Sequence, residues 1–130
     1  MQYVITIKQK NMKSGEEQLL CDTICDIKNN SGEIEFEYQE LPPYDGKVKI
    51  TAGQKGCRIH RKAENESIME FKINSITQGK VMSAYGTFEI DLKTRSYHFH
   101  ESVLALEYDV MNGEECVESF RLMTKMKKMV

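Results

Sequence analysis

The sequence predicts an all-β protein, a single antiparallel up-and-down barrel of about nine or ten strands. Three observations carry this. Apolar and polar residues alternate with a period of two through most of the chain. Turn-forming clusters divide the chain at intervals of about 10–15 residues. Almost no segment repeats with the period of a helix, and connections that short favour a meander over a sandwich.

Taken in order, "YVITI" sets Tyr3, Ile5 and Ile7 on one face. In "EIEFEYQE", Ile34, Phe36 and Tyr38 alternate with Glu33, Glu35, Glu37 and Gln39, giving one apolar and one acidic face. "KVKIT" points Val48 and Ile50 inward, and "CRIHRK" does the same for Cys57 and Ile59. "SIMEFKI" offers Met69, Phe71 and Ile73, and "VLALEYDV" offers Leu104, Leu106, Tyr108 and Val110. Between these runs lie "NNSGE" at 29–33, "PPYDG" at 42–46, "AGQKG" at 52–56, "AENES" at 63–67 and "MNG" at 111–113. One segment is ambiguous. "SGEEQLLCDTICDIK" opens with Ser14 and Glu17 at capping-box spacing, and Leu20, Ile24 and Ile27 follow at helical intervals. As a strand, it sets Leu19, Cys21, Thr23, Cys25 and Ile27 on one face.

Composition narrows the classes. The 130 residues suffice for one domain over 1–130, and 40% hydrophobic with 29% charged residues is ordinary for a globular core. A net charge of −2 supplies no overall basic field, so nucleic acid is not an expected partner. The chain shows neither a secretory leader pattern nor an apolar run of membrane-spanning length, so a cytoplasmic, membrane-free protein is expected. Cys21, Cys25, Cys57 and Cys116 are separated by three, 31 and 58 residues, which matches no zinc module or CxxC pair. Reduced thiols acting as small hydrophobes are expected. On a strand, Cys21 and Cys25 lie ~13 Å apart, too far to bridge.

The "SYHFHES" stretch at 96–102 holds two of the three histidines. Pairing with the next strand through a loop centred on Glu101 and Ser102 sets Tyr97 against Leu106 and Phe99 against Leu104. His98 and His100 then face solvent opposite Ala105 and Val103. They form a weak surface candidate for a metal, lacking an evident third ligand, and no resident metal or cofactor is expected.

Polar residues that share the parity of the core point to a site. Glu40 follows Tyr38, Arg61 follows Ile59, and Arg95 precedes Tyr97. Val81, Ser83 and Tyr85 share a face. Phe88 and Ile90 share a face with each other if Gly86 marks a bend. The last hairpin is ambiguous: a three-residue "MNG" loop pairs Leu104 with Phe120 and Tyr108 with Cys116 and turns Phe120, Leu122 and Thr124 inward, with Glu118 opposite Leu106, whereas a two-residue "NG" turn buries Val117 and exposes Phe120; the first is preferred because it buries the larger residue. Glu40 and Arg61 can pair at one mouth of the barrel, either as a structural plug or, with Tyr38, Tyr85 and Tyr108, as a rim over an apolar pocket. No phosphate loop, nucleophile elbow or acid/base carboxylate pair is present, so no enzyme is expected.

The runs "YQE" (Tyr38, Glu40), "GKVKI" from Gly46, "IHR" ending at Arg61, "IMEFKI" around Met69 and Phe71, "SAYGTFEI" around Tyr85 and Gly86, and "LALEYDV" around Tyr108 occur in that order. In this the chain resembles the YwiB-like proteins of Gram-positive bacteria, a small calycin-type, lipocalin-like barrel family of unknown function. The resemblance implies a strand over 17–27. It also places the family's Tyr-x-Glu, Arg and Tyr-Gly positions at Tyr38, Glu40, Arg61, Tyr85 and Gly86. The expected function is non-catalytic binding of a small, partly apolar ligand at the mouth, by a monomer or weak dimer. The alternative is a protein- or RNA-interaction module that works through its outer surface or an edge strand.

Overall fold

The computed structural model describes residues 1–100 and 102–129, and the alternating runs become strands throughout. They are β1 (Gln2–Asn11), β2 (Glu17–Asp26), β3 (Lys28–Asn30), β4 (Glu33–Gln39), β5 (Lys47–Ala52), β6 (Gly56–Lys62), β7 (Glu66–Lys72), β8 (Ile76–Ser83), β9 (Gly86–His100), β10 (Val103–Asn112) and β11 (Glu115–Lys128). No helix occurs among the described residues, so none is long and apolar enough to cross a membrane. The eleven strands form one antiparallel sheet in the order β2-β1-β11-β10-β9-β8-β7-β6-β5-β4-β3.

The two ends of this order are consecutive stretches of chain. Only Ile27 separates β2 from β3, so the segment 17–30 pairs with β1 along its first part and with β4 along its last three residues. The Leu41 N–H donates to the Leu20 carbonyl at 3.0 Å and ties the far end of the seam. The sheet thereby curls into a nearly closed barrel, consistent with a calycin-type arrangement, and leaves little free edge. The ambiguity over 17–27 resolves to strand: the Ser14 hydroxyl accepts a 3.2 Å bond from the Glu16 N–H in a turn, not in a helix cap. A bulge at Leu20 alters the expected face. Ile7 lies opposite Cys21 and Lys8 opposite Leu19, so Leu20 and Cys21 are both buried and Leu19 is turned out.

The interior is packed around a set of fully buried side chains: Ile5, Ile7, Ile50, Leu92, Leu104, Leu106 and Thr124 are each 0% exposed. Phe71 on β7 stacks 4.6 Å from Tyr108 on β10, which lies 5.5 Å from Phe120 on β11, an aromatic bridge between distant walls. At the end formed by the β5–β6 turn, the Tyr97 hydroxyl donates between the carbonyl oxygens of Gly53 (2.6 Å) and Gly56 (2.9 Å).

The expected register of β9 on β10 is observed: Tyr97 faces Leu106, Phe99 faces Leu104, and His98 and His100 lie exposed opposite Ala105 and Val103. The loop expected at Glu101 and Ser102 falls partly outside the described residues. Arg95 departs from expectation. A bulge between Thr94 and Ser96 breaks the alternation, so Thr94 and Tyr97 both turn inward and Arg95 turns out. The last hairpin is also shifted. Its loop is Gly113–Glu114, with Gly113 at φ 63°, the first position of a two-residue turn that favours glycine. A further bulge at Val117 sets Tyr108 against Phe120, Leu104 against Thr124 and Glu118 against Val110, in place of the expected pairs. The faces survive the shift: Leu122 and Thr124 are buried, Phe120 packs on Tyr108, and Val117 is exposed. Ile73, expected inward, follows the end of β7 and is exposed.

Burial pushes the Cys21 and Cys57 thiols up to about 12 from 9.0, and for Cys21 the neighbouring Cys25 adds to the rise. Cys21, Cys25 and Cys57 are buried and Cys116 is half-exposed, all four unbridged. A thiol-reactive disulfide reagent at mildly alkaline pH should therefore titrate one thiol, Cys116, in the folded protein and all four after denaturation. The folded state holds its buried thiols protonated after the unfolded chain has lost those protons, so stability is full below pH 9 and falls as pH rises toward 12. Denaturant midpoints measured across that window should decline, and Cys57→Ala should flatten the decline by about 1.4 kcal/mol per pH unit.

Candidate functional site

The alternation of β4 carries one residue past the strand end and brings Glu40 inward beside Tyr38. Across the end of β5, Arg61 on β6 meets it. Arg61 Nε donates to Glu40 Oε1 and Oε2 at 3.0 and 3.1 Å, and Nη2 donates to Oε1 at 2.8 Å. The Gly46 N–H adds a 3.1 Å bond to Oε1, while the Glu40 N–H donates to the Gly46 carbonyl at 2.8 Å. The Glu40 side chain is 6% exposed and that of Arg61 36%, so the carboxylate is sunk and the guanidinium is its lid. This pairing is the one the sequence suggested. A side chain at 46 would displace the clasp, since a Cβ there would collide with Glu40 Oε1 and stand 2.8 Å from Arg61 Nε. The bonds to Glu40 raise the Arg61 pKa, and burial raises that of Tyr38, with Cys21 and Glu40 adding to it. Arg61 Nη1 makes no hydrogen bond among the described residues and remains a donor at the rim.

Beside the clasp the inner wall opens. Residues directly opposite in the ladders share a face. That rule links Ile59 to Met69, Arg61 to Ser67, Ser67 to Val81, Val81 to Phe88, and Leu92 to Val110. All belong to the face that buries Phe71 and Leu92 lower down, yet Ile59, Met69, Val81 and Val110 are half-exposed and Phe88 is 56% exposed. The mouth thus presents a patch of partly exposed apolar side chains beside Arg61 and Ser67, on the same face as the buried Phe71 and Tyr108. It is not a deep cavity, because the barrel below is packed.

The five residues singled out from the sequence divide. Tyr38, Glu40 and Arg61 form one cluster. Tyr108 belongs to the core, 8% exposed and packed against Phe71. Tyr85 stands apart, 95% exposed in the two-residue loop joining β8 and β9, where Ser83 pairs with Gly86. The expectation that Tyr85 shares an inward face with Val81 and Ser83 fails because the chain reverses there. Phe88 is the residue that parity pointed to without naming a role. His98 and His100 lie on the outer wall, and among the described residues no group of three or more His, Cys, Asp or Glu is placed to hold a metal ion.

A polar network on the outer wall went unread in the sequence. Arg95 Nε donates to Asp109 Oδ1 (2.8 Å) and Nη2 to Ser119 Oγ (2.9 Å), while Ser119 Oγ donates to Asp109 Oδ1 (2.8 Å). Arg121 Nε holds Glu107 at 2.9 Å. Only the bulge at Arg95 assembles it, and a bulge leaves no signal in a period-two pattern.

A family model described as "Domain of unknown function (DUF1934)" matches residues 4–123. The chain belongs to the DUF1934 family. None of the curated proteins compared matches it. Among solved structures, the ywiB protein from Bacillus subtilis superposes with a TM-score of 0.77 over 99% of this chain and 92% of that one, at 13% identity. That likeness shows the fold of this DUF1934 chain, in keeping with the YwiB-like resemblance of its motifs.

The clasp is asymmetric, and its variants should be too. Arg61→Ala strands a sunken carboxylate and should cost about 3 kcal/mol in denaturant unfolding. Glu40→Gln keeps an acceptor for Gly46 and leaves a guanidinium that reaches water, so its cost should be about 1 kcal/mol. Equal costs would contradict the geometry.

Proposed function

We propose that this chain is a non-catalytic binding protein that seats a small, partly apolar ligand on the apolar patch at the mouth of its barrel. One observation carries the reading: Phe88, Val81, Met69 and Val110 lie on the core-facing side of the sheet and yet reach solvent. Apolar side chains with a few convergent polar groups are the usual make-up of a small-molecule site. Apolar atoms of the ligand would rest on these side chains and a polar atom would accept from Arg61 Nη1. Tyr38, Glu40 and Tyr108 would act through the wall, with Glu40 fixing the guanidinium. The packed interior limits the ligand to one that lies across the mouth. The lack of a nucleophile or cofactor motif supports binding over catalysis, and near closure of the sheet weighs against pairing through an edge strand. In this reading residues 1–130 act as one domain in the cytoplasm, as a monomer or weak dimer.

A neutral solvatochromic dye such as Nile red tests the patch. The folded protein should bind it saturably with a blue-shifted emission. Phe88→Ser, at a position already exposed and so tolerant of the change, should weaken binding about fivefold, roughly the loss of 1 kcal/mol of apolar contact. Undiminished binding by the variant would place the dye elsewhere and overturn the assignment.

A further inference from the structure

The outer wall carries a feature that neither the core nor the mouth explains. Along β1, Thr6, Lys8 and Lys10 face outward; along β11, Arg121, Met123 and Lys125 do the same. The ladder sets Thr6 against Lys125, Lys8 against Met123 and Lys10 against Arg121. Together with Glu17 on β2 these side chains enclose a groove of about 280 Å³. Four cations therefore line one concavity with Glu17, while Glu107, held by Arg121, and Asp22, which accepts from Thr6 Oγ1 at 3.5 Å, stand at its border.

The arrangement is costly as it stands. Like charges on adjacent strands repel, and a chain with 20 acidic residues has no shortage of partners for them. Arg121 is committed through Nε to Glu107, which fixes its guanidinium, and its Nη groups make no bond among the described residues. Lys8, Lys10 and Lys125 have no carboxylate within 4.0 Å among the described residues. Strand geometry spreads the cations over ~14 Å, from Arg121 to Lys125. That span is longer than one anionic group fills and suits several linked ones. Lysine ammoniums and a fixed guanidinium are the donors that phosphates take.

We propose that this groove is a second binding site, for a small molecule carrying linked phosphates. A long nucleic acid is a poorer fit, since the net charge of the whole chain is −2 and the cations are confined to this stripe. The site is separate from the mouth, on the opposite face of the sheet.

Inorganic tripolyphosphate is the probe, with binding read by calorimetry on the full chain. Measurable binding should weaken as salt is raised, and Lys8→Gln with Lys125→Gln should lower affinity about tenfold, the loss of two exposed charge contacts at 0.7 kcal/mol each. Glu17→Gln should strengthen it, a gain that no loss of folding can imitate. Phe88→Ser should leave it unchanged, which separates this site from the mouth. A nucleoside triphosphate should bind at least as well, since it carries the same groups. Absence of tripolyphosphate binding, equal binding of citrate, indifference to the double lysine change, or tighter binding of a single-stranded RNA would each overturn the proposal.

Discussion

The barrel depends on one segment being shared by two neighbours. Residues 17–30 pair with β1 and then, after Ile27, with β4, so the sheet order closes through the chain itself. Closure makes the inward face of every strand a face of one interior, and that interior must be filled to native density. Ile5, Ile50, Leu92, Leu104 and Leu106 fill it. The Glu40–Arg61–Gly46 clasp sits near the same seam, just after β4 leaves the ladder. Its carboxylate is buried only because three donors converge on it, two of them from one guanidinium.

Much of this was legible because period two is a strong signal when one face is wet. The pairs Tyr97–Leu106 and Phe99–Leu104 and the outward histidines follow from parity and loop length. So does the meeting of Glu40 with Arg61. The errors share one cause. Bulges at Leu20, Arg95 and Val117 each insert a residue, and each reverses the parity on which the reading rests. Leu19, Arg95 and the last hairpin were misplaced for that reason. Tyr85 was misplaced by a related one: a strand was extended through a turn whose residues, Ala84 and Tyr85, lack a glycine at the centre. The apolar patch was half-legible, since parity groups Phe88 with Ile90 but says nothing about whether an inner face is covered.

The two candidate sites divide the work of the sheet. The inner face offers apolar contact where the wall rises past its packing, at Phe88 and Val81, with Arg61 as the polar anchor. The outer face offers charge, at Lys8, Lys10 and Lys125, held on strands that the core makes rigid. Sites on strands are well positioned because register fixes each side chain to within a residue. His98, His100 and Tyr85, by contrast, lie exposed on the surface.

The central claim is that the mouth holds a ligand. Native mass spectrometry of the protein purified without chelator, before and after denaturation, tests it most directly. A ligand held at the mouth should give a reproducible added mass on the folded chain, lost on denaturation and at lower occupancy on the Phe88→Ser variant purified in parallel. A folded wild-type chain that carries no added mass, or a variant that carries it at the same occupancy, would contradict the claim.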